Sequence, residues 1–377
     1  MHIIHTLDNL NSFSGVTENL VNLIKYKGQR NLKYSIISWQ RKNNIPRNTL
    51  PKNVNLIILR KNFFFLINFF IYINALMRAI KIYKNETIPD VIIHNHGLWS
   101  ISNVSSFLVS KILNIPYLIS IHGMLSPWAL NFKSTKKKMA WHMYQKNILL
   151  SSSAIHVTSK EESRNISDLL PSASSKTFCV PLGVTIPKKT ISCRNKKVLF
   201  LARIHQVKGI ELLLNAWAIS KINDWDLLIA GPGDQSYINS LKKLSKSLRI
   251  NTKVTFLGPI LLTHKQLFFS RGSIFILPSY SENFGLTIAE ALASGLPVIT
   301  TNRTPWASLE DKSAGWIISP DVNLLAETLI KSTKLELSEL RVMGENGRKW
   351  MEENFLWSKC AIKISDIYIK ILSKKGS

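Results

Sequence analysis

Short runs of apolar residues alternate along the chain with segments whose apolar positions recur every three to four residues. In the first half, residues 16–25 have such helical spacing, and polar segments separate the other runs. Alternating strand-like and helical segments are typical of a parallel sheet covered by helices on both faces. The strand-like runs of this half are residues 3–7, 34–38, 54–58, 91–94, 117–121 and 154–157.

The second half repeats the alternation, and a polar segment rich in Pro and Lys, residues 181–189, lies between the halves. We interpret that segment as the interdomain linker. The pattern therefore predicts two α/β domains, 1–183 and 184–356, followed by a C-terminal helical segment, 357–377. The strand-like runs of the second half are residues 198–201, 226–230, 254–257, 274–277 and 297–300.

One apolar run, residues 63–77, is longer than a typical strand. It has 15 residues, two of them asparagines, whereas about 20 apolar residues are needed to span a bilayer. We predict a helix packed within the N-terminal domain. A helix that lies in a membrane interface is the alternative that this composition leaves open.

The length of the chain, 377 residues, is enough for two hydrophobic cores, and its charge is strongly unbalanced. There are 49 Lys and Arg against 23 Asp and Glu, a net charge of +26. Such a surplus suits phosphates, anionic lipid headgroups or nucleic acid. The three cysteines lack metal-binding spacing, and the first residues lack the pattern of a secretory signal, so we expect a cytoplasmic protein.

Two glutamates mark the segment that follows the strand-like run at 274–277. The pattern places Glu282 in a loop and Glu290 about one turn into a helix that stops near Gly295. Ligands of α/β sheets bind at the carboxyl ends of strands, and free N–H groups at a helix start bind phosphate. One segment could therefore contact sugar, diphosphate and ribose. The alternative is an ordinary strand–loop–helix with solvated acids.

This segment resembles the Glu-x7-Glu signature of family 4 glycosyltransferases, retaining enzymes of the GT-B fold. The resemblance implies two Rossmann-like domains whose parallel sheets face a cleft. It implies that domain 1–183 binds the acceptor, that domain 184–356 binds a nucleotide-sugar, and that the C-terminal helix crosses back to the N-terminal domain. The string that carries it is Pro278-Ser279-x-x-Glu282-x-Phe284-Gly285-Leu286-x-x-x-Glu290-Ala291.

The same resemblance assigns roles to residues of this segment. Glu282 would contact the donor sugar on its reactive side, and Glu290 would hold the ribose hydroxyls. The loop and helix start between the two glutamates would bind the rest of the donor. The residues concerned are Asn283, Phe284, Gly285, Leu286 and Thr287.

A basic pair, Arg203 and Lys208, follows the first strand of the second domain. A departing diphosphate gains negative charge as the glycosidic bond breaks, so cations fixed nearby stabilise the transition state. Arg203 can hold phosphate through two N–H groups, whereas Lys208 acts as a point charge. The spacing Arg-x4-Lys-Gly resembles the diphosphate-binding pair of the family. The alternative is two solvated basic residues.

Two glycines also match positions of the family. Gly231 begins a Gly-Pro-Gly-Asp turn after a strand, although such a turn forms whatever the function. Gly15 lies between the first strand and a helix, where the family usually has a Gly-Gly pair that lets the backbone approach the donor. This chain has Ser14-Gly15 instead, so Gly15 is the expected position of close approach.

Histidines end two strands of the N-terminal domain. His94 and His96 face one side of their strand, but no motif supplies further zinc ligands, so we predict no metal site. His122 follows the next strand, and the resemblance implies that it reaches the donor sugar. A buried capping histidine is the alternative. The residues around His122, together with those at 96–99, resemble family members from bacterial surface-polysaccharide clusters.

A basic and aromatic segment, residues 128–146, belongs to the predicted acceptor domain. Lysines interleaved with aromatic residues suit an anionic membrane surface or nucleic acid. A solvated basic face is the third interpretation. The lysines of this segment are Lys133, Lys136, Lys137, Lys138 and Lys146.

From these features we expect a retaining glycosyltransferase of bacterial surface-polysaccharide biosynthesis, making lipopolysaccharide, capsule or exopolysaccharide. It would move a sugar from a nucleotide-sugar to a saccharide or polyprenyl-diphosphate-linked acceptor, without a divalent metal or another cofactor. It would work in the cytoplasm, with the inner face of the plasma membrane as a peripheral binding surface. The alternatives are a nucleotide-sugar 2-epimerase of the same fold and a non-enzymatic nucleic-acid-binding protein. No nucleic-acid-binding motif supports the latter, so no nucleic-acid partner is expected.

Overall fold

The computed structural model describes residues 1–10, 15–26, 32–39, 50–84, 90–132, 134–188 and 195–374. It divides into two compact units. The N-terminal unit comprises Met1–Gly183 together with Trp357–Ser377, and the C-terminal unit comprises Val184–Leu356. Ser14, Lys133 and one of the three cysteines, Cys193, lie outside the described residues.

The N-terminal unit contains a seven-stranded parallel sheet in the order β3-β2-β1-β4-β5-β6-β7. The strands are β1 His2–Leu7, β2 Lys33–Trp39, β3 Val54–Leu59, β4 Val91–His96, β5 Tyr117–Ser120, β6 Ala154–Val157 and β7 Thr177–Cys179. The helices are α1 Gly15–Lys25, α2 Phe65–Lys84, α3 Ile101–Ile112, α4 Pro127–Asn131, α5 Ser134–Ala140, α6 Lys146–Ser151, α7 Lys160–Leu169 and α14 Trp357–Ser373.

The C-terminal unit contains a six-stranded parallel sheet in the order β10-β9-β8-β11-β12-β13. The strands are β8 Lys197–Leu201, β9 Asp226–Ala230, β10 Val254–Gly258, β11 Ile274–Leu277, β12 Val298–Thr301 and β13 Gly315–Ile318. The helices are α8 Ile210–Ser220, α9 Gln235–Ser247, α10 Lys265–Phe269, α11 Leu286–Ala293, α12 Val322–Thr333 and α13 Leu337–Asn354.

Each sheet has one point at which the strand order changes direction. In the N-terminal unit this point lies between β1 and β4, and in the C-terminal unit between β8 and β11. Helices that follow the two strands at such a point diverge to opposite faces, which leaves a crevice at the carboxyl ends where ligands bind. The segments after β8 and β11 are therefore the first place to look for a site.

The strands predicted from the pattern are all present, and the described residues form two more that the pattern did not predict. These are β7 and β13, which have three and four residues. Runs this short do not establish a period, so tertiary pairing decides their structure. The helix α14 begins at the predicted residue, Trp357, and belongs to the N-terminal unit, where it contacts α1.

The prediction of a helix packed within the N-terminal domain is confirmed by α2, but the packing does not extend to its first turn. One face of α2 is buried, with Tyr72, Leu76 and Ala79 in the core between the helix and the sheet. The residues that lead into α2 and form its first turn are largely exposed, and Phe63 is 95% exposed. Apolar composition shows that a helix needs cover but does not show that the same chain supplies all of it.

Candidate active site

The basic segment after β8 is held against the end of β11. It ends in a short 3₁₀ turn, Gln206–Lys208, and then Gly209, which has φ +66°. A Cβ at Gly209 would lie 2.1 Å from the carbonyl oxygen of Pro278, so only glycine allows this approach. The N–H of Tyr280 donates to the carbonyl of Val207 at 2.8 Å and ties the two segments together.

This contact brings Lys208 to Glu282. The Nζ atom of Lys208 lies 2.5 Å from Oε1 of Glu282, and the hydroxyl of Ser279 donates to the same oxygen at 2.8 Å. The side chains of Lys208 and Glu282 are 16% and 9% exposed. Two residues to which separate roles were assigned, a cation for phosphate and a carboxylate for sugar, therefore form one ion pair with limited access to water.

Arg203 lies in the same segment as Lys208 and is exposed. Within the described part of the chain, its guanidinium forms no ion pair with a carboxylate. Burial lowers the pKa of the neighbouring His205 below its usual value, and the charges of Arg203 and Lys208 lower it further. The segment thus presents two cations beside an imidazole that is held neutral.

The second glutamate, Glu290, also has a lysine partner. Lys265, the first residue of α10, places Nζ 2.8 and 3.0 Å from the two carboxylate oxygens of Glu290 on α11. These side chains are 15% and 16% exposed. Nothing in the sequence pattern pointed to Lys265, because it lies 25 residues away and its own surroundings follow no motif. Tertiary packing alone brings it to Glu290.

The start of α11 presents free backbone N–H groups. Its N-cap is Gly285, with φ +72°, and no side chain caps the helix. Gly285 accepts from the N–H of Ile288, whereas the N–H groups of Leu286 and Thr287 have no acceptor among the described residues. The helix dipole and these N–H groups together favour an anion at this point.

Phe284, one of the predicted donor-binding residues, has its ring in the core. It is 5% exposed and packs against Trp306 and Phe355, with ring centroids 5.3 and 6.1 Å away. Its carbonyl accepts a hydrogen bond from Trp306 Nε1 at 2.6 Å. Any contact of this residue with a ligand would therefore have to use its backbone. The neighbouring Asn283 lies in the half-buried loop before it.

Gly231, after β9, is required by packing. Its φ is +142°, and a Cβ there would lie 1.7 Å from the carbonyl oxygen of Ala202. This turn lines a cavity of about 390 Å³ at the carboxyl ends of β9 and β10. Apart from Lys242, the lining is uncharged, and its apolar members include Ile204, Phe256 and Leu257. The volume lies in the range of small-molecule pockets.

At position 15, in the N-terminal unit, neither packing nor backbone conformation requires a glycine. Gly15 is the exposed first residue of α1, and a Cβ placed on it would meet no described atom within 4 Å. Its φ is not among the positive values either. Alanine would therefore fit the described protein at this position.

His122 is the half-buried end of a hydrogen-bonded chain of three histidines. Its Nε2 lies 3.1 Å from Nδ1 of His96, and Nε2 of His96 lies 3.0 Å from Nδ1 of His5. Burial lowers the pKa of His122 and of His5 to about 3, and that of His96 well below its usual value. All three imidazoles are therefore neutral near pH 7. Nδ1 of His122 has no hydrogen-bond partner among the described residues.

A second set of contacts surrounds His94. Its Nδ1 lies 2.7 Å from the hydroxyl of Tyr368, and its Nε2 lies 2.7 Å from that of Ser120. Ser120 in turn lies 2.7 Å from Nδ1 of His156. Burial lowers the pKa of His156 to about 4. Neither His156 nor Tyr368 carried a signal in the sequence, since each lies in an ordinary strand or helix pattern.

The structure corrects one argument about metal binding. The sequence offered no third ligand for His94 and His96, yet His5 on the neighbouring strand brings a nitrogen within 4.8 Å of theirs. However, both nitrogens of His94 and of His96 are engaged in the hydrogen bonds described above. A metal would have to break these bonds, so the cluster is better suited to fixing ring orientations.

Two family models match consecutive parts of the chain. The model of Glycosyltransferase Family 4 matches residues 13–186, and the model of Glycosyl transferases group 1 matches residues 185–350. The second match contains Arg203, Lys208, Glu282 and Glu290. The boundary between the matches lies within three residues of the boundary between the two units.

Known proteins resemble the chain in sequence and in fold. Alpha-monoglucosyldiacylglycerol synthase of Streptococcus pneumoniae is 34% identical over 172 residues, 43% of this chain and 38% of that protein. The O-antigen biosynthesis glycosyltransferase WclY of Escherichia coli is 28% identical over 169 residues, 44% of each chain. The matches therefore span less than half the length of these curated relatives.

The solved structure of Anabaena HepE, in complex with UDP and glucose, superposes with a TM-score of 0.79 at 17% identity. The superposition covers 97% of this chain and 98% of HepE, which establishes the fold. The two parallel sheets and the two matching models, which together cover residues 13–350, agree with one another. The chain therefore belongs to the group 1 glycosyltransferases of the GT-B fold.

Proposed function

We propose that this protein is a retaining glycosyltransferase that uses a nucleotide-sugar as donor. The observation that carries the proposal is the group of cationic and N–H donors after β8 and β11. Arg203, Lys208 and the uncapped start of α11 lie at the point where the strand order of the C-terminal sheet reverses. A diphosphate leaving group needs such an arrangement, because its negative charge grows as the glycosidic bond breaks.

The ion pair between Lys208 and Glu282 is compatible with separate roles for the two residues, phosphate binding by Lys208 and sugar binding by Glu282. A lysine ammonium has three N–H groups, so Lys208 can keep Glu282 while it donates to a phosphate oxygen. Glu282, whose Oε1 is fixed by Lys208 and Ser279, keeps its second oxygen for a hydroxyl of the donor sugar. Arg203 is exposed and supplies the second cation to the diphosphate.

The remainder of the donor fits the surroundings of this group. We assign the nucleobase to the cavity of about 390 Å³ beside Gly231, whose apolar lining suits a flat aromatic ring. Glu290 would accept hydrogen bonds from the ribose hydroxyls, with Lys265 holding its carboxylate in place. Because HepE was solved with UDP and glucose, a uridine diphosphate sugar is the first donor to test.

In the N-terminal unit, the histidine chain prepares His122 to meet a sugar hydroxyl. Nε2 of His5 is buried without a partner among the described residues. A buried acceptor left unpaired is tolerated better than a buried N–H, so His5 should donate to His96 and His96 to His122. His122 would then present an N–H at Nδ1. Gly15, where alanine fits the described protein, would be the position of close backbone approach to the donor.

The cations supply the charge stabilisation, so the proposed reaction needs no divalent metal or other cofactor. We propose a saccharide or a polyprenyl-diphosphate-linked saccharide as acceptor and a cytoplasmic location. The similarity to an O-antigen glycosyltransferase and to a glycolipid synthase supports a role in building a bacterial surface polysaccharide.

A panel of UDP-, GDP- and ADP-sugars tests the proposal. We expect the protein to hydrolyse one of them slowly without acceptor and to release a sugar whose first-formed anomer, followed by NMR, matches the donor. Release of the opposite anomer would contradict a retaining mechanism. Release of a 2-epimer would identify an epimerase, and failure to bind any nucleotide of the panel would contradict the donor site.

A further inference from the structure

The start of α2 exposes a continuous apolar surface. We define the α2 face as Phe63, Phe64, Phe65, Leu66, Ile67 and Phe70, whose exposure runs from 42% for Ile67 to 95% for Phe63. Four of the six residues are phenylalanines. Exposed apolar residues are common singly, but a cluster of large ones marks an interaction surface.

The opposite face of α2 keeps the helix attached to the N-terminal unit. Tyr72, Leu76 and Ala79 are fully buried, with exposures of 0%. The hydroxyl of Tyr72 donates to the carbonyl of Ile37 at 2.9 Å. The helix has an 18-residue window apolar enough to cross a membrane, Phe65–Ile82. Crossing would remove Tyr72 and its neighbours from the core, so the α2 face can be covered only from outside.

The charge around this face is unusually one-sided. Residues 1–160 contain 20 Lys and Arg against 4 Asp and Glu, and no acid occurs between residues 19 and 85 or between 91 and 160. Arg60 and Lys61 precede the α2 face, and Arg78 and Lys81 follow it along the helix; all four are exposed. An anionic surface would complement these residues, whereas a second copy of the same face would be repelled.

A second basic and apolar surface emerges at the same edge of the sheet. The α2 face follows β3, and the helices α4 and α5 follow β5, so both lie at the carboxyl ends of parallel strands. Four strand spacings of about 4.8 Å separate β3 from β5, roughly 19 Å along that edge. Trp128, Phe132 and Met139 are exposed there, beside the exposed Lys136 and Lys138.

We propose that the α2 face inserts into the interface of a membrane that contains anionic lipid, with the basic residues of both surfaces against the headgroups. Large apolar side chains beside cations match the two layers of such an interface, acyl chains below and phosphates above. Nucleic acid fits less well, since residues 63–70 carry no basic side chain that could follow a phosphate backbone beside the rings. His122 follows β5 at the same edge, so a lipid-linked acceptor would be delivered close to it.

Vesicle co-sedimentation of the full chain tests the proposal, and no substrate is needed, so its failure would leave the proposed glycosyl transfer standing. Wild type should pellet with phosphatidylglycerol-containing vesicles and much less with phosphatidylcholine alone. The variant Phe63→Ser/Phe64→Ser/Phe70→Ser should bind at least about 100-fold more weakly at low and at high salt, because burial of each ring is lost. Its melting temperature should match that of wild type.

Two further variants separate the contribution of the basic residues to vesicle binding from that of the apolar α2 face. Lys136→Gln/Lys138→Gln/Lys146→Gln should lose about 100-fold at low salt, roughly fivefold per lysine, and little at high salt, where the charges are screened. The control Ile219→Ser/Leu324→Ser/Val342→Ser removes three exposed apolar residues of the C-terminal unit and should bind as wild type does. Equal binding by wild type and the phenylalanine variant would overturn the proposal. So would a dimer in gel filtration that this variant abolishes.

Discussion

Replacing Glu290 with glutamine tests whether this residue recognises ribose, because the change keeps the shape and removes only the charge. A hydrogen bond to a charged acceptor contributes about 1.5–3 kcal/mol. The neutral amide oxygen of glutamine still accepts a bond of about 0.5–1.5 kcal/mol, so the expected loss is about 1–1.5 kcal/mol for each ribose hydroxyl. Since about 1.4 kcal/mol corresponds to a factor of ten, Glu290→Gln should weaken binding of the nucleoside diphosphate about 5- to 12-fold for each such bond. Isothermal titration calorimetry with the nucleotide of the preferred donor measures this directly.

The same substitution also removes the partner of Lys265, and the stability cost must be separated from the binding effect. Breaking a fully buried ion pair costs about 3–5 kcal/mol, and an exposed pair contributes about 0–1 kcal/mol. With exposures of 15% and 16%, this pair lies between these limits. We therefore expect a loss of about 1–3 kcal/mol, measured by urea unfolding, which leaves the variant folded at 25 °C.

A modified nucleotide distinguishes recognition from structure. The 2′,3′-dideoxy nucleoside diphosphate lacks the hydroxyls, so wild type should bind it weakly and Glu290→Gln should bind it no worse. Lys265→Met should lose less affinity for the ordinary nucleotide than Glu290→Gln, and the double variant should lose no more than Glu290→Gln alone. If Glu290→Gln weakens the binding of both nucleotides equally, the residue acts through the fold and the ribose assignment is wrong.

Three other predictions follow from the two units. Arg203→Ala and Lys208→Ala should each lower kcat about 100-fold or more, since their contacts strengthen in the transition state. Unchanged kcat in both variants would contradict this role. Full loss of wild-type activity in EDTA, with rescue by Mn²⁺, would contradict a metal-free mechanism. Gly209→Ala should destabilise the protein by at least about 1–3 kcal/mol through its left-handed φ, whereas Gly15→Ala should keep the melting temperature and lower kcat/KM; equal melting shifts would refute the distinction. Buried histidines such as His156 have pKa values lowered below that of the unfolded chain, so the unfolded state binds more protons below about pH 6.5; urea unfolding at pH 7.5 and 5 should show a loss of about 2 kcal/mol for each such histidine.

The sequence was sufficient to predict the two sheets and the segments at their switch points, because strand and helix periods are local properties. Glu282 and Glu290 were placed in a loop and a helix start, where the structure has them. The lysine that pairs with each glutamate was not predicted. Lys208 was assigned to phosphate binding, and Lys265 was not singled out. Which lysine meets which glutamate depends on how α10 and the 3₁₀ turn pack, and no periodic pattern encodes that packing.

The N-terminal unit shows a different limit. His94 and His96 were recognised as facing one side of a strand, yet the partners that fix them include residues of β1, β5 and α14. Strand order in the sheet decides these neighbours, and a single sequence does not state it. The exposure of Phe63 was missed for a related reason. Hydrophobicity indicates that a side chain tends to be removed from water, but it does not indicate which surface covers that side chain.

In the proposed reaction, the ion pair of Lys208 and Glu282 would explain how one site can hold a diphosphate firmly and still release it. Arg203 and Lys208 bring two positive charges, and Glu282 returns one negative charge to Lys208 at 2.5 Å. A diphosphate would therefore share Lys208 with Glu282 and bind less tightly than two unpaired cations would allow. During bond cleavage the charge on the diphosphate would rise, so its contact with Lys208 would strengthen at the moment when stabilisation matters most. After the nucleotide departs, Lys208 would still be paired with Glu282, so no largely buried cation would be left unpaired.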